Sequence, residues 1–161
     1  MIDDEETMRI SWACAQLVRR SIALSDAERW EELSALYAED AMMNRPSDPG
    51  RWFTGRAAIL EGFRRRPHRT ARHLISNLVV DVISQTEAQA STTVALFVGP
   101  ARDGSDPVRS VGPVLIGAFD DLLRREGGVW RIARRTGSLT LEHGAASTNA
   151  PSADATRETR P

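Results

Sequence analysis

The hydrophobic spacing of this chain changes once, and that change limits its fold more than any other feature. Up to about Arg66 the apolar residues recur every three or four positions; from Leu74 to Leu141 they alternate or run in β-branched stretches. Ile10, Cys14, Leu17, Ser21 and Leu24 give a mostly apolar stripe to a helix over about Glu5–Leu24, with Arg9, Gln16, Arg19 and Arg20 mainly off it. Ser25-Asp26-Ala27-Glu28 then has the S-x-x-E form of a capping box. It opens a second helix that carries Trp30, Leu33, Leu36 and Tyr37 and stops near Glu39-Asp40. Ala41–Arg45 reads as a short strand and Pro46–Gly50 as a turn. Ile59, Leu60 and Phe63 form the inner side of a third helix, which Arg64-Arg65-Arg66 and Pro67 end.

The second half reads as strands. They are expected over Leu74–Ile83, Ala88–Val98, Val108–Arg124 and Val129–Leu141, with a bulge at Gly112-Pro113 or Gly117. Pro100–Pro107 is a long hairpin loop, and Glu126-Gly127-Gly128 is a tight turn. Helices followed by a bent antiparallel sheet make an α+β domain over 1–142. From 143 to 161 the residues are Ala, Ser, Thr, Asn, Pro and charge without periodicity, which predicts a disordered tail.

Composition narrows the function classes. A net charge of −1 argues against a dedicated nucleic-acid binder. No apolar run approaches the roughly 20 residues that cross a bilayer, so no membrane association is expected. Met1–Glu6 is acidic and lacks the regions of a signal peptide, which predicts a soluble cytoplasmic protein. Cys14 has no cysteine partner, and its place on the apolar stripe reads as core rather than nucleophile. All 21 basic residues are arginine.

Few residues carry chemistry. His73 is either a strand histidine bonded to backbone or a base whose tautomer a carboxylate fixes. Asp26 stands where a helix N-cap belongs, yet Ser25 with Glu28 can take that cap and free Asp26 for a pocket. His68 and His143 lack neighbours at metal-ligand spacing, and neither a metal nor a cofactor is expected. Trp52 and Phe53, large aromatics in a polar segment, read as a lid over something apolar. Arg64, Arg65, Arg66, Arg69 and Arg72 form the densest charge cluster; such a run is usually a solvated face but can also attract an anionic partner.

Several stretches, taken in order, resemble the SnoaL-like branch of the nuclear-transport-factor-two-like superfamily. They are Asp26–Leu33, Leu36–Ala41, Gly55–Ile59, Arg72–Asn77, Gly117–Asp121 and Trp130–Arg135. The resemblance implies a cone-shaped α+β barrel in which N-terminal helices pack on a curved sheet and an apolar cavity opens at the wide end. Its members include scytalone dehydratase, ketosteroid isomerase, polyketide cyclases and hexachlorocyclohexane dehydrochlorinase. Non-catalytic β subunits of ring-hydroxylating dioxygenases also belong, so the fold alone leaves function open.

In the dehydratase and dehydrochlorinase members an Asp ending the first helix meets a His on the first long strand, and Asp26 and His73 fall at those positions. Arg20 matches a cationic pocket residue, Arg135 matches an arginine common in the last strand, and Ser21 stands where an aromatic is frequent. The resemblance thus implies a cofactor-independent lyase or isomerase. His73, oriented by Asp26, would take a proton from a small apolar or aromatic substrate, with Arg20 and Arg135 stabilising charge and Ser21, Trp52 and Phe53 contacting the molecule. The alternative is a non-catalytic binding or assembly subunit. A homodimer is expected by analogy.

Overall fold

A computed structural model describes residues 2–144. The elements are α1 (Asp4–Asp26), α2 (Trp30–Ala35), β1 (Tyr37–Arg45), β2 (Asp48–Thr54), α3 (Arg56–Arg64), β3 (Thr70–Val82), β4 (Glu87–Gly99), β5 (Val114–Glu126) and β6 (Val129–His143). The strands form one six-stranded sheet in the order β2-β1-β6-β5-β4-β3. The sheet is antiparallel as expected except where β1 runs parallel to β6, and it does not close on itself. Helix α1 lies against β3, β4 and β6, and α3 packs on β1, β2 and α2, which makes a cone-like α+β fold. Leu33, Tyr37, Ile59, Leu123 and Ile132 are fully buried between these layers. Each such side chain contributes roughly 1.5–3 kcal/mol on leaving water.

The capping box expected at Ser25–Glu28 is not formed. Helix α1 runs on to Asp26 and ends in a Schellman cap, with Glu28 N–H on Ser25 O at 3.2 Å and Arg29 N–H on Leu24 O at 3.0 Å. Glu28 takes the left-handed conformation (φ 54°) that this cap requires, a place usually given to glycine. The cap of α2 is Arg29, without a side-chain hydrogen bond.

Helix α2 also stops earlier than its apolar spacing suggests. The carbonyl of Leu36 accepts from Ile132 N–H at 2.9 Å, so β6 captures the chain and Tyr37 begins a strand. Proline and glycine keep 100–113 out of the sheet, and β5 begins at Val114 rather than Val108. The domain boundary expected at 142 falls inside β6. The tail expected over 143–161 lies, from residue 145 on, outside the described residues. Among the described residues no helix is long and apolar enough to cross a membrane.

The register between β5 and β6 shifts at Ile116/Gly117, but the extra residue is Thr140 on β6, so the bulge lies opposite Gly117 and not on the strand where it was expected. A Cβ at Gly117 would lie on the carbonyl oxygen of Ser138. Gly117→Ala is therefore expected to cost about 1–3 kcal/mol, read as a lower urea midpoint, because backbone rather than a flexible side chain must move. A midpoint equal to that of the wild type would mean the bulge tolerates a side chain.

Candidate active site

Asp26 is the last residue of α1, and a carboxylate there faces the negative end of the helix dipole, a position that normally favours cations. Its compensation comes from β3. The Asp26 carboxylate accepts from the His73 backbone N–H (Oδ2 3.1 Å, Oδ1 3.3 Å), and Oδ1 lies 2.6 Å from His73 Nδ1. Both side chains are mostly buried, His73 11% and Asp26 15% exposed, so little water competes for the contact. A neutral ring that donates Nδ1–H to the carboxylate presents Nε2 as an acceptor, and Nε2 has no hydrogen-bond partner among the described residues. The ring lines a cavity of about 240 Å³.

The cavity walls are largely apolar, with Ile22, Leu33, Phe63, Leu96, Leu115 and Phe119 among them. Its volume lies just below the roughly 300–1,000 Å³ of pockets for drug-sized ligands, so it suits a small molecule. A second polar station stands on the wall formed by β6 and α1. Arg135 donates to both Asp121 oxygens at 2.7 Å and to Ser21 Oγ at 3.0 Å. Ser21 in turn donates to Val18 O at 2.7 Å. Burial opposes the charge on Arg135, but the Asp121 carboxylate outweighs it and holds the guanidinium above its ordinary pKa. Phe119 stacks on the same guanidinium, 4.8 Å from its ring centroid.

The structure brings His73 to Asp26 and Ser21 to Arg135, but not the remaining expected residues. Arg20 lies on the exposed face of α1 and does not reach the cavity; next to buried Ser21 on a helix, its side chain turns outward. Trp52 and Phe53 form no lid. Trp52 packs beneath Arg134, 4.8 Å from ring centre to guanidinium, and Phe53 fills the space beside Gly62 under Arg45 and Arg51. Phe53 packs against the core, and neither ring lines the cavity. His68, in an exposed loop as expected, bonds through Nδ1 to Glu28, 40 residues away in the chain. Cys14 is fully buried, and burial pushes its thiol up to about 11, which keeps it protonated and unreactive.

Two sets of site residues were not foreseen. Asp121 is buried opposite Arg135 on the neighbouring strand. The second set is arginine: Arg45, Arg65, Arg66 and Arg69 line the cavity, so the basic run is only in part a solvated face. Arg66 is half-buried over Phe63 (4.9 Å) and Trp30 (5.7 Å). Burial first, then Arg45 and Arg69, lower its pKa to about 10. Among the described residues no three His, Cys, Asp or Glu side chains converge as a metal site would.

Fold and site together define a protein built round a small-molecule cavity with one carboxylate-bound histidine in its wall. More particularly, the chain belongs to the SnoaL-like domain family, which matches it over residues 6–136. A structure from Novosphingobium aromaticivorans, provisionally assigned as a scytalone dehydratase, is 25% identical with a TM-score of 0.72, covering 96% of this chain and 100% of that one. A type 2 hexachlorocyclohexane dehydrochlorinase (LinA) is 15% identical with a TM-score of 0.74, covering 94% of this chain and 100% of that one. Another LinA structure is 17% identical with a TM-score of 0.74, covering 93% and 99%. At these last two identities the likeness is one of fold. No curated protein matches the sequence.

Proposed function

We propose that the chain is a cofactor-independent lyase or isomerase in which His73 is the general base. The observation that carries this is the 2.6 Å contact between Asp26 and His73 Nδ1, made by a ring that lines the cavity. His73 Nε2 takes a proton from a substrate carbon. The electron pair left on that carbon forms a double bond, either by expelling an adjacent hydroxide or halide or by shifting within the molecule. The proton stays on the ring as imidazolium, which the Asp26 carboxylate stabilises; in the elimination it then passes to the departing hydroxide or to solvent with the halide, and in the isomerisation it returns to the carbon at the far end of the shifted double bond.

Apolar walls exclude water and raise the strength of each charge interaction inside. Arg135, fixed by Asp121 and presented beside Ser21, is the preorganised positive group that meets developing negative charge. Arg20 has no part in this. The dehydratase and dehydrochlorinase neighbours are both named for eliminations, which supports that branch of the reading.

Solvent-deuterium uptake tests it without a choice between elimination and isomerisation. A panel of small cyclic ketones and acids with β-hydroxyl or β-halide groups, incubated in D₂O, should exchange a carbon-bound proton or lose the leaving group. His73→Ala should slow this by about 10²–10⁴-fold at an unchanged melting temperature. Equal rates in the variant and the wild type would remove His73 from the chemistry.

A further inference from the structure

One end of the cavity carries far more positive charge than proton abstraction from an apolar molecule needs. Arg45, Arg65, Arg66 and Arg69 all line it, and no aspartate or glutamate does. We propose that the ligand of this cavity is an organic anion, a small apolar body whose oxyanion head is gripped by Arg66 and Arg69 with Arg45 beside them. This rests on the reading of the cavity as the reaction site, and it adds the substrate class.

The guanidiniums themselves make the case. Among the arginines that are not fully exposed, Arg56 finds Glu39, Arg124 finds Asp40 and Arg135 finds Asp121, while Arg131 donates to Ala35 O. The Arg66 and Arg69 side chains have neither an ion pair nor a hydrogen bond among the described residues. Stacking on Phe63 and Trp30 fixes the plane of Arg66 and leaves its N–H edge unspent, the fork that matches a carboxylate or phosphate. Arg45 donates from Nη2 to Gly62 O, and its Nε is a buried polar atom that lacks a partner among the described residues. A buried donor left open and half-buried like charges side by side are both costly. A bound anion relieves the second of these, while Arg45 Nε stays shut off from the cavity.

The nearby acids are engaged or remote. Glu28 accepts from the His68 ring and from the Arg69 backbone N–H at 3.2 Å, and it pairs with no cavity guanidinium. Asp48 is exposed and acts on Arg45 only through space. Arg45 stands on a hydrogen-bonded frame. Asn44 ties the β1–β2 turn to β6 by accepting from Gly137 N–H at 2.6 Å and donating to Pro49 O at 2.8 Å. His73 shares the wall with Arg66 and Arg69, so an anion held there sets its own carbon skeleton beside the base.

Calorimetric titration at low salt with naphthoate, naphthyl phosphate and neutral naphthamide tests the proposal. Naphthoate should bind on the order of tenfold or more tightly than naphthamide, as charge-assisted pairs imply. Arg66→Gln and Arg69→Gln should each remove most of that preference. Naphthyl phosphate ranked above naphthoate identifies a dianionic head, and the reverse a carboxylate; either supports an anion site. Equal affinity for acid and amide, or no binding of either anion, overturns it. Should loss of stacking unfold Arg66→Gln, Arg69→Gln carries the test, since that side chain is not stacked. His73→Ala should keep the anion preference. An anion preference alongside undiminished deuterium uptake in His73→Ala would sink the catalytic reading and leave this one standing.

Discussion

Asp121→Ala is expected to destabilise the fold by about 3–5 kcal/mol, a large part of the roughly 5–15 kcal/mol that holds a domain together. The reason is the charge left behind. Asp121 and Arg135 have side chains only 1% and 5% exposed, and the carboxylate meets the guanidinium through two bonds of 2.7 Å. Without it, Arg135 keeps Ser21 and the ring of Phe119 but no counter-charge. The double variant Asp121→Leu with Arg135→Met is expected to recover most of the loss, because replacing a buried pair by apolar groups is often neutral. Urea unfolding of the single and double variants measures both effects. A single-variant loss under about 1 kcal/mol would mean water or a shifted side chain replaces the pair.

That pair also shows why some of the site was hidden in the sequence. The Gly127-Gly128 turn was legible, and counting back from it along an unbroken hairpin sets Asp121 opposite Arg134. A register shift between Leu122 and Leu123 moves it onto Arg135 instead. The extra residue, Ala133 on β6, turns Arg135 rather than Arg134 to the inner face where Asp121 lies with Leu123, and spacing alone does not reveal it. Arg20 is the opposite case, since Ser21 on the apolar stripe already implied that its neighbour faces out. The limits of α3 and β4 followed closely from period and turn residues, whereas Tyr37–Asp40 kept a helical pattern that pairing with β6 overrode. The role of Asp26 was half visible. Its nearness to His73 came from the resemblance, and its place at a helix C-terminus, not an N-cap, came from the Schellman turn at Glu28.

The position of Asp26 yields the second large effect, and its two readouts should move apart. Asp26→Asn is expected to cut turnover, read by deuterium uptake, by about 10²–10⁴-fold. An amide still accepts from the His73 backbone N–H, so β3 keeps its tie to α1. What it lacks is the charge that favours the Nδ1–H tautomer and steadies the imidazolium once the proton arrives. Stability should follow a different course. A carboxylate at the C-terminus of α1 opposes the helix dipole, so neutralising it returns about 0.3–1 kcal/mol, set against a weakened hydrogen bond to the ring. The melting temperature should therefore stay level or rise while the rate collapses, as happens where a residue serves chemistry at some cost to the fold. If Asp26 were only a structural clasp between helix and strand, the melting temperature would drop by several degrees while turnover of the folded protein stayed intact.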